Sequence, residues 1–159
     1  MMYAQPLLLI FVANGAPVVA RLLMGERFAT PLDFGRRFID GRPLLGESKT
    51  LRGVVAALML TTLAAMLLGL PLVVGVLFAC YAMLGDLFSS FIKRRCGIEP
   101  SGRALGLDQI PESLLPLLML QPQLGLGLFD IVLLVALFVV LGLLFSRLLY
   151  RLHIRKRPY

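Results

Sequence analysis

The sequence predicts an all-α integral membrane protein, a bundle of about five transmembrane helices with two polar cytoplasmic loops. Its composition is 58% hydrophobic, with a mean hydropathy of +0.87. A soluble domain of 159 residues cannot bury that much apolar surface. The apolar runs are continuous and reach the roughly 20 residues that a helix needs to cross the hydrocarbon core. They do not alternate as barrel strands do. We therefore expect a single transmembrane domain over residues 1–159.

The distribution of basic residues predicts the topology of this bundle. Five segments are candidate spans: Ala4–Met24, Gly53–Gly69, Leu72–Phe91, Pro111–Leu120 and Leu126–Tyr150. Every Lys and Arg lies in residues 21–52, 93–103 or 147–157, whereas the connections 69–71 and 121–125 are uncharged. The positive-inside rule then puts the N-terminus outside and the basic segments, with the C-terminus, in the cytoplasm of a multi-pass protein of the cell (inner) membrane. The fourth span is short enough to be re-entrant.

An acid inside the third span is the first candidate functional residue. Asp86 lies about two turns before the cytoplasmic end, where a carboxylate costs roughly 2.5–3.5 kcal/mol on insertion scales. Ser90 and Lys93 follow on the same helical face, and Arg94 extends its positive end. Glycines in the next loop allow Asp108 to fold back toward Asp86. The alternative is an internal Asp86–Lys93 pair that only fastens helices together.

The polar segment before the second span is suited to binding anions. Lys49 and Arg52 flank the start of that helix, whose free N–H groups and dipole favour negative groups. A phosphate-binding P-loop is excluded, because Lys49 is displaced by two residues and no strand precedes it. The alternative is a juxtamembrane loop that binds anionic lipid headgroups. In the first span Asn14 precedes Pro17, where we expect a kink.

The inventory of polar side chains narrows the chemistry. The one histidine, His153, lies in the basic tail, and the two cysteines lack metal-ligand spacing. This argues against a zinc site and against acyl hydrolysis by a triad. Acids that hold Mg²⁺ and bases that clamp phosphate oxygens suit phosphoryl or nucleotidyl transfer. A lipid phosphate could reach such a site from the cytoplasmic leaflet while a soluble nucleotide arrives from the cytosol. The net charge of +7 is explained by membrane topology, so we expect no nucleic acid partner.

Two blocks of the sequence carry a family resemblance. The first is Thr30-Pro-Leu-Asp33-Phe-Gly35, followed by Asp40-Gly41-Arg42, Leu45-Gly46, Lys49-Thr50 and Arg52-Gly53. The second is Gly85-Asp86, Ser90-Phe-Ile-Lys93-Arg94-Arg95 and Leu107-Asp108-Gln109. Together they resemble the CDP-archaeol synthase family over nearly the whole chain, including Asn14 and the five-span plan. The second block is also similar to the signature of phosphatidate cytidylyltransferases.

The resemblance implies a Mg²⁺-dependent enzyme that transfers a cytidylyl group from CTP to a membrane lipid phosphate, with pyrophosphate leaving. The lipid would be an archaeal ether lipid phosphate or phosphatidate. By position, Asp86 and Asp108 match the acids that hold the metal, and Lys93 and Arg94 match the phosphate-contacting pair. The expected substrate-binding residues are Asn14, Asp33, Asp40, Lys49, Arg52 and Ser90. Of these, Lys49 and Arg52 match contacts to nucleotide phosphates, and Asn14, Asp33 and Asp40 match the motif without an assigned role.

The sequence departs from the family pattern at one place and leaves one other class of protein open. An acidic and aromatic pair is expected after Asp108-Gln109, but Ile110-Pro111-Glu112-Ser113 stands there, which bears on the start of the fourth helix and on lipid selectivity. A CDP-alcohol phosphotransferase is disfavoured, because Asp40-Gly41 is not followed by its Ala-Arg signature. The alternative function is a non-catalytic small membrane transporter or ion-binding scaffold, which Asp86 and the broken first helix would also suit. The oligomeric state stays open.

Overall fold

The computed structural model describes residues 3–99, 104 and 106–151, with side chains up to residue 145. Their helices are α1 (Ala4–Met24), α2 (Leu51–Leu67), α3 (Leu72–Arg95), α4 (Gln109–Met119), α5 (Gln121–Leu124) and α6 (Leu128–Arg151). Outside the helices, these residues form two isolated β-bridges, both within the loop 25–50. The predicted all-α helical bundle is confirmed. The basic tail from residue 152 and Arg103 lie outside the described residues.

The ends of α2 and α3 differ from the prediction for reasons that the capping residues supply. α2 begins at Leu51 rather than Gly53, because Thr50 is its N-cap and accepts a hydrogen bond from the Gly53 N–H at 3.3 Å. α3 continues one turn past Phe91 to Arg95. That last turn carries three basic residues, which the negative end of the helix dipole favours.

The predicted fourth span is a short helix followed by an unpredicted one. α4 has 11 residues and is about 16 Å long, half of the ~30 Å hydrocarbon thickness. α5 adds four residues and ends at Gly125, which has the left-handed conformation that glycine tolerates. Among the described helices, three are long and apolar enough to cross a membrane: α1, α3 and residues 128–145 of α6. The count of five crossings stays a prediction.

The helices pack in an order that puts α3 and α4 at the centre. α3 contacts α2 and α4, α1 contacts α2, and α4 contacts α6. The largest fully buried apolar side chains of the core are Leu9, Ile10, Phe78, Leu117, Leu120, Ile131 and Leu134. Small residues bring helices close together, as is typical of membrane bundles. A Cβ added to Gly75 of α3 would lie only 2.8 Å from the Cβ of Ala65 on α2.

Side-chain bonds show which helix ends lie together. The Tyr3 hydroxyl donates to Oδ1 of Asp130 at 2.8 Å, which joins the starts of α1 and α6. The side-chain amide of Gln5 donates to the Leu68 carbonyl at 2.9 Å, just after α2. The loop 25–50 and the connection from α3 to α4 therefore lie at the opposite end of the bundle. This gathers the basic segments of residues 21–95 at one end, as the topology requires, and the side of the membrane that this end faces stays a prediction.

Candidate active site

The loop between α1 and α2 is organised around one buried carboxylate. Asp33 accepts hydrogen bonds from the backbone N–H groups of Leu45 and Gly46 at 2.9 and 3.0 Å, and from Gly35 at 3.0 Å. Burial opposes ionisation of Asp33, but these three hydrogen bonds outweigh it and lower the pKa of the carboxyl. In this structure Asp33 shapes the loop, and the expectation that it contacts substrate stays a prediction.

The same loop is docked on the end of α3 by a second group of contacts. Asp40 accepts from Nη1 of Arg95 at 2.9 Å, and Arg95 also lies 4.7 Å from the ring centre of Phe38. In the other direction, Nη1 of Arg42 donates to the Arg95 carbonyl at 2.5 Å. Asp40, predicted to bind substrate, thus holds the loop against α3 here. Its partner Arg95 is the third basic residue of the second sequence block.

The docked loop covers a charged pocket between α1, α2 and α3. The pocket has a volume of about 490 Å³, within the range of roughly 300–1,000 Å³ typical of small-molecule sites. Its polar lining comprises Arg21, Glu26, Glu47, Ser48, Lys49, Thr50, Arg52 and Asp86. The start of α2 borders it, but the expected free N–H groups are not found there, because the N–H groups of Leu51, Gly53 and Val54 already donate to Thr30 or Thr50. What α2 adds to the positive lysine and arginines is the positive end of its dipole. Three basic and three acidic side chains balance the formal charge of the lining, which suits a phosphate ligand accompanied by a cation.

Two of the predicted residues meet in this pocket. Nζ of Lys49 lies 2.6 Å from both carboxylate oxygens of Asp86, across 37 residues of sequence. Both side chains are about one-fifth exposed, so the pair borders the cavity rather than sealing it. Arg52 lines the pocket too, but its Nη1 donates to the carbonyls of Gly25 and Arg27. The predicted phosphate contact of Arg52 would therefore come from the rest of its guanidinium.

A second ion pair lies further along α3, on the side that faces α4. Lys93 forms a salt bridge with Asp108, at the point where α4 begins. The alternative of an internal Asp86–Lys93 pair is thus not what the structure contains, because each residue bonds to another segment. Asp108 folds back onto α3, but its partner is Lys93 rather than Asp86, toward which it was predicted to fold, and a metal shared by the two acids stays a prediction.

Two buried residues beside this second pair carry donors that have no partner among the described residues. Arg94 is 3% exposed, and its Nε and Nη1 make no hydrogen bond in the described part of the chain. The Ser90 hydroxyl, one turn earlier and 1% exposed, is likewise unbonded there. Leaving a buried donor unsatisfied costs roughly 1–3 kcal/mol, so such groups are expected to serve a ligand. Three N–H or O–H donors on one turn of helix suit a phosphate.

The residue that the sequence analysis missed is Glu112. It lies in the first turn of α4, near enough to both ion pairs to interact electrostatically with Asp86, Lys49, Asp108 and Lys93. Glu112 stands just past Pro111, in the segment where the sequence departs from the family pattern. One signal was available: Asp108 and Glu112 are four apart, which puts both acids on one face of a helix.

Close packing of α3 against α4 fixes the position of these acids. A Cβ added to Gly85 would lie 2.2 Å from the Pro111 carbonyl oxygen and 2.8 Å from Cα of Glu112. Only glycine permits that approach. The neighbours of this contact, Asp86 on α3 and Glu112 on α4, are the two acids nearest the centre of the site.

Asn14 is placed away from this cluster. Its side-chain amide donates to the Ile10 carbonyl of its own helix at 3.0 Å, and α1 continues through Pro17 as one helix. It is absent from the lining of the pocket, whereas Arg21 at the same helical face lines it. Substrate binding by Asn14 stays a prediction.

The acids of the site fit a divalent cation that is carried in by a phosphate ligand. The described residues contain no group of three or more His, Cys, Asp or Glu able to hold an ion by itself. Mg²⁺ is ordinarily held by one or two carboxylates together with substrate phosphates and waters, so a larger protein cage is not needed. Asp86, Asp108 and Glu112 are the carboxylates placed to contribute, and two of them are neutralised by lysines here.

Comparison with known proteins identifies relatives that match most of the chain. The chain is 35% identical to the CDP-archaeol synthase of Sulfurisphaera tokodaii over 93% of its length and 89% of that protein. It is 34% identical to that of Sulfolobus acidocaldarius, over 93% and 91% of the two chains. It is 41% identical to that of Saccharolobus islandicus over 63% and 60%.

A solved structure and a family model extend the match to the fold. An intramembrane enzyme for archaeal membrane lipid biosynthesis superposes with a TM-score of 0.73 at 35% identity, over 87% of this chain and 89% of that one. The CarS-like model for CDP-archaeol synthase matches residues 2–72 and 70–159. From these matches and the shared membrane fold, the chain belongs to the CDP-archaeol synthase family.

Proposed function

We propose that the charged end of the bundle is the active site of a CTP-dependent lipid cytidylyltransferase. The overall reaction follows from the family: a cytidylyl group moves from CTP to an archaeal lipid phosphate. An oxygen of the lipid phosphate attacks the α-phosphorus of CTP, the bond from that phosphorus to the bridging oxygen breaks, and pyrophosphate leaves. The products are a CDP-lipid and pyrophosphate. The transporter or scaffold alternative finds no support in the relatives.

The pocket between α1, α2 and α3 is the proposed CTP site. Lys49 is the central phosphate ligand, with Arg21 and the positive end of the α2 dipole beside it. On binding, Lys49 exchanges a carboxylate of Asp86 for phosphate oxygens, so its charge stays compensated. Asp33 and Asp40 hold the loop 25–50 over the pocket through their contacts. Both residues would therefore act by positioning that loop.

The lipid phosphate is proposed to bind on the α4 side, at Ser90, Lys93 and Arg94. The unbonded donors of Ser90 and Arg94 support this assignment, because a phosphate would satisfy them. Lys93, now paired with Asp108, supplies a third contact. These groups orient the attacking oxygen and stabilise charge on the phosphate oxygens, which is the main work of a protein in such transfers.

Mg²⁺ is proposed as the metal of the site, held by Asp86 and Asp108, with Glu112 available as a further carboxylate. When bound with CTP it would neutralise charge on the phosphate oxygens. The chain's own part is to present these carboxylates beside the phosphate-binding lysines. In the absence of ligand, Lys49 compensates the charge of Asp86 and Lys93 that of Asp108.

We also propose that the basic end of the bundle is cytoplasmic, where CTP is found. The observation that carries the proposed function is the convergence of two lysine–carboxylate pairs from three separate segments beside one charged pocket. A non-catalytic scaffold would not need unbonded hydrogen-bond donors that suit a phosphate next to such ion pairs.

The test is direct synthesis. Purified protein receives CTP labelled at the α-phosphate, Mg²⁺ and either an unsaturated archaeal ether lipid phosphate or phosphatidate. Label should enter the organic phase as CDP-lipid, with one pyrophosphate released per product, and CTP labelled at the γ-phosphate should give none there. Absence of organic-phase label with both lipids would contradict the proposal, and the ratio between the two lipids identifies the preferred substrate.

A further inference from the structure

A second cavity lies between α3 and α4, on the outer side of the bundle. It is a groove of about 550 Å³ lined entirely by apolar residues and glycine, among them Leu84 and Phe88 of α3 and Ile110, Leu114 and Leu118 of α4. Leu84 and Phe88 are more than half exposed. The groove is therefore open to the surface that faces the lipid.

The length of the groove matches one leaflet. Ile110 and Leu118 are eight residues apart on α4, which corresponds to about 12 Å along the helix. Half of a hydrocarbon core of ~30 Å is about 15 Å. A groove that runs from the charged end of the bundle to this depth fits one hydrocarbon chain of a lipid in the adjacent leaflet.

One end of the groove adjoins the proposed lipid phosphate site. Gly85 and Pro111 line the groove, and the next residues along their helices are Asp86 and Glu112 of the charged cluster. The groove begins at Ile110, in the first turn of α4, and Asp108 at the start of the same helix forms the salt bridge with Lys93. A chain in the groove would thus lead to a headgroup at the charged end of the bundle, where Lys93 is one of the proposed phosphate contacts.

We infer that the groove between α3 and α4 binds one hydrocarbon chain of the lipid phosphate substrate and so sets its position and depth in the site. This inference rests on the proposed function and adds the route by which the lipid enters. Bulk lipids can touch any outer helix face, but only a lipid with a phosphate headgroup gains both the groove and the basic residues at its end. Selective, saturable occupancy is therefore the expected property.

The chain contains no tryptophan, so one introduced tryptophan reports on the groove alone. Phe88→Trp places the tryptophan in the groove lining. Leu63→Trp on α2 is the control at an exposed site outside the groove, and Leu63 is 53% exposed, as is the groove residue Leu84. Both proteins are reconstituted with lipids brominated on the chains, either a lipid phosphate or a phosphatidylcholine. Quenching measures which lipid lies against the tryptophan.

We expect the brominated lipid phosphate to quench Phe88→Trp at a mole fraction at least about 10-fold lower than brominated phosphatidylcholine, which is a difference of roughly 1.4 kcal/mol. Unbrominated lipid phosphate should relieve that quenching, and Leu63→Trp should show neither effect. Equal quenching of Phe88→Trp by both lipids, without relief, would overturn the inference. This readout needs no turnover, so failure of the proposed reaction would appear separately, as absence of CDP-lipid.

Leu84→Trp gives an independent check if Phe88→Trp does not fold. By filling the groove, it should lower kcat/KM for a long-chain lipid phosphate by about 10-fold or more and leave a short-chain analogue unaffected. Equal losses for both lipids, or no loss for either relative to Leu63→Trp, would contradict the inference.

Discussion

Replacing Gly85 by alanine tests whether the contact between α3 and α4 sets the geometry of the site. The added Cβ would lie 2.2 Å from the Pro111 carbonyl oxygen, whereas ordinary contact begins at 3.4 Å. The neighbour is backbone, so α4 must move away by about 1 Å, and overpacking of this kind costs roughly 1–3 kcal/mol. Glu112 and Asp108 move with α4. A displacement of about 1 Å in a positioning group can cost about 10²-fold in rate.

The assay measures CDP-lipid formation and thermal unfolding of the same detergent-purified proteins. Gly85→Ala should lose about 10²-fold in kcat while keeping CTP affinity within a few-fold, because α4, the helix that moves, contributes no lining residue to the CTP pocket. Gly15→Ala is the control, since nothing lies within 4 Å of a Cβ at that position of α1. Folded Gly85→Ala protein with the turnover of Gly15→Ala would refute the reasoning.

Three further predictions address the charge of Lys93, the loop 25–50 and the membrane topology. Lys93→Ala should lower kcat by about 10²-fold, whereas loss of the exposed Arg36 should be nearly silent in the same turnover assay. Asp33→Asn should cost about 1–3 kcal/mol at pH 7 by thermal unfolding. In cells, an impermeant thiol reagent should label the exposed Cys96 only from the cytoplasmic side and should leave Cys80, which lies within α3, unlabelled.

The pH dependence of the Asp33 prediction follows from the direction of its pKa. The folded-state pKa of Asp33 is lowered, so its contribution to stability is present above the unfolded-state pKa of about 3.9 and is lost as pH falls through the folded value. The difference between wild type and Asp33→Asn should therefore shrink below about pH 4. A constant difference down to pH 3 would contradict this account.

Equal losses at Lys93 and Arg36 would contradict the prediction for the Lys93 charge, and labelling of Cys96 from outside would contradict the predicted topology.

The helices and Asp86 could be predicted from the sequence because each depends on residues that are neighbours along the chain. Continuous apolar runs specify membrane helices, and Asp86 is conspicuous because a carboxylate is costly among them. Asp108 could be predicted because flexible glycines precede it and the family pattern includes it. Even helix α4 was expected to be short, from the length of its apolar run.

The partners of these residues could not be predicted, because they depend on tertiary packing. The Asp86 partner is 37 residues away in sequence, on a loop whose path is fixed by Asp33 and its backbone bonds. Glu112 was missed for a related reason. Its place in the site follows from the Gly85–Pro111 contact between two helices, and nothing near it in the sequence reports that contact. The α3–α4 groove depends on the same packing.

The most direct measurement of the shared site is a double-mutant cycle on Asp86 and Asp108. Asp→Asn keeps the size of each side chain but removes the charge that holds a hard cation. Each single variant should lose on the order of 10³-fold in CDP-lipid formation, or about 4 kcal/mol of transition-state stabilisation. Because groups that act as one unit are not additive, the double variant should be little worse than either single one, and higher Mg²⁺ should partly restore the singles. Folded Asp108→Asn protein with wild-type turnover, or a double variant whose losses multiply, would contradict the account.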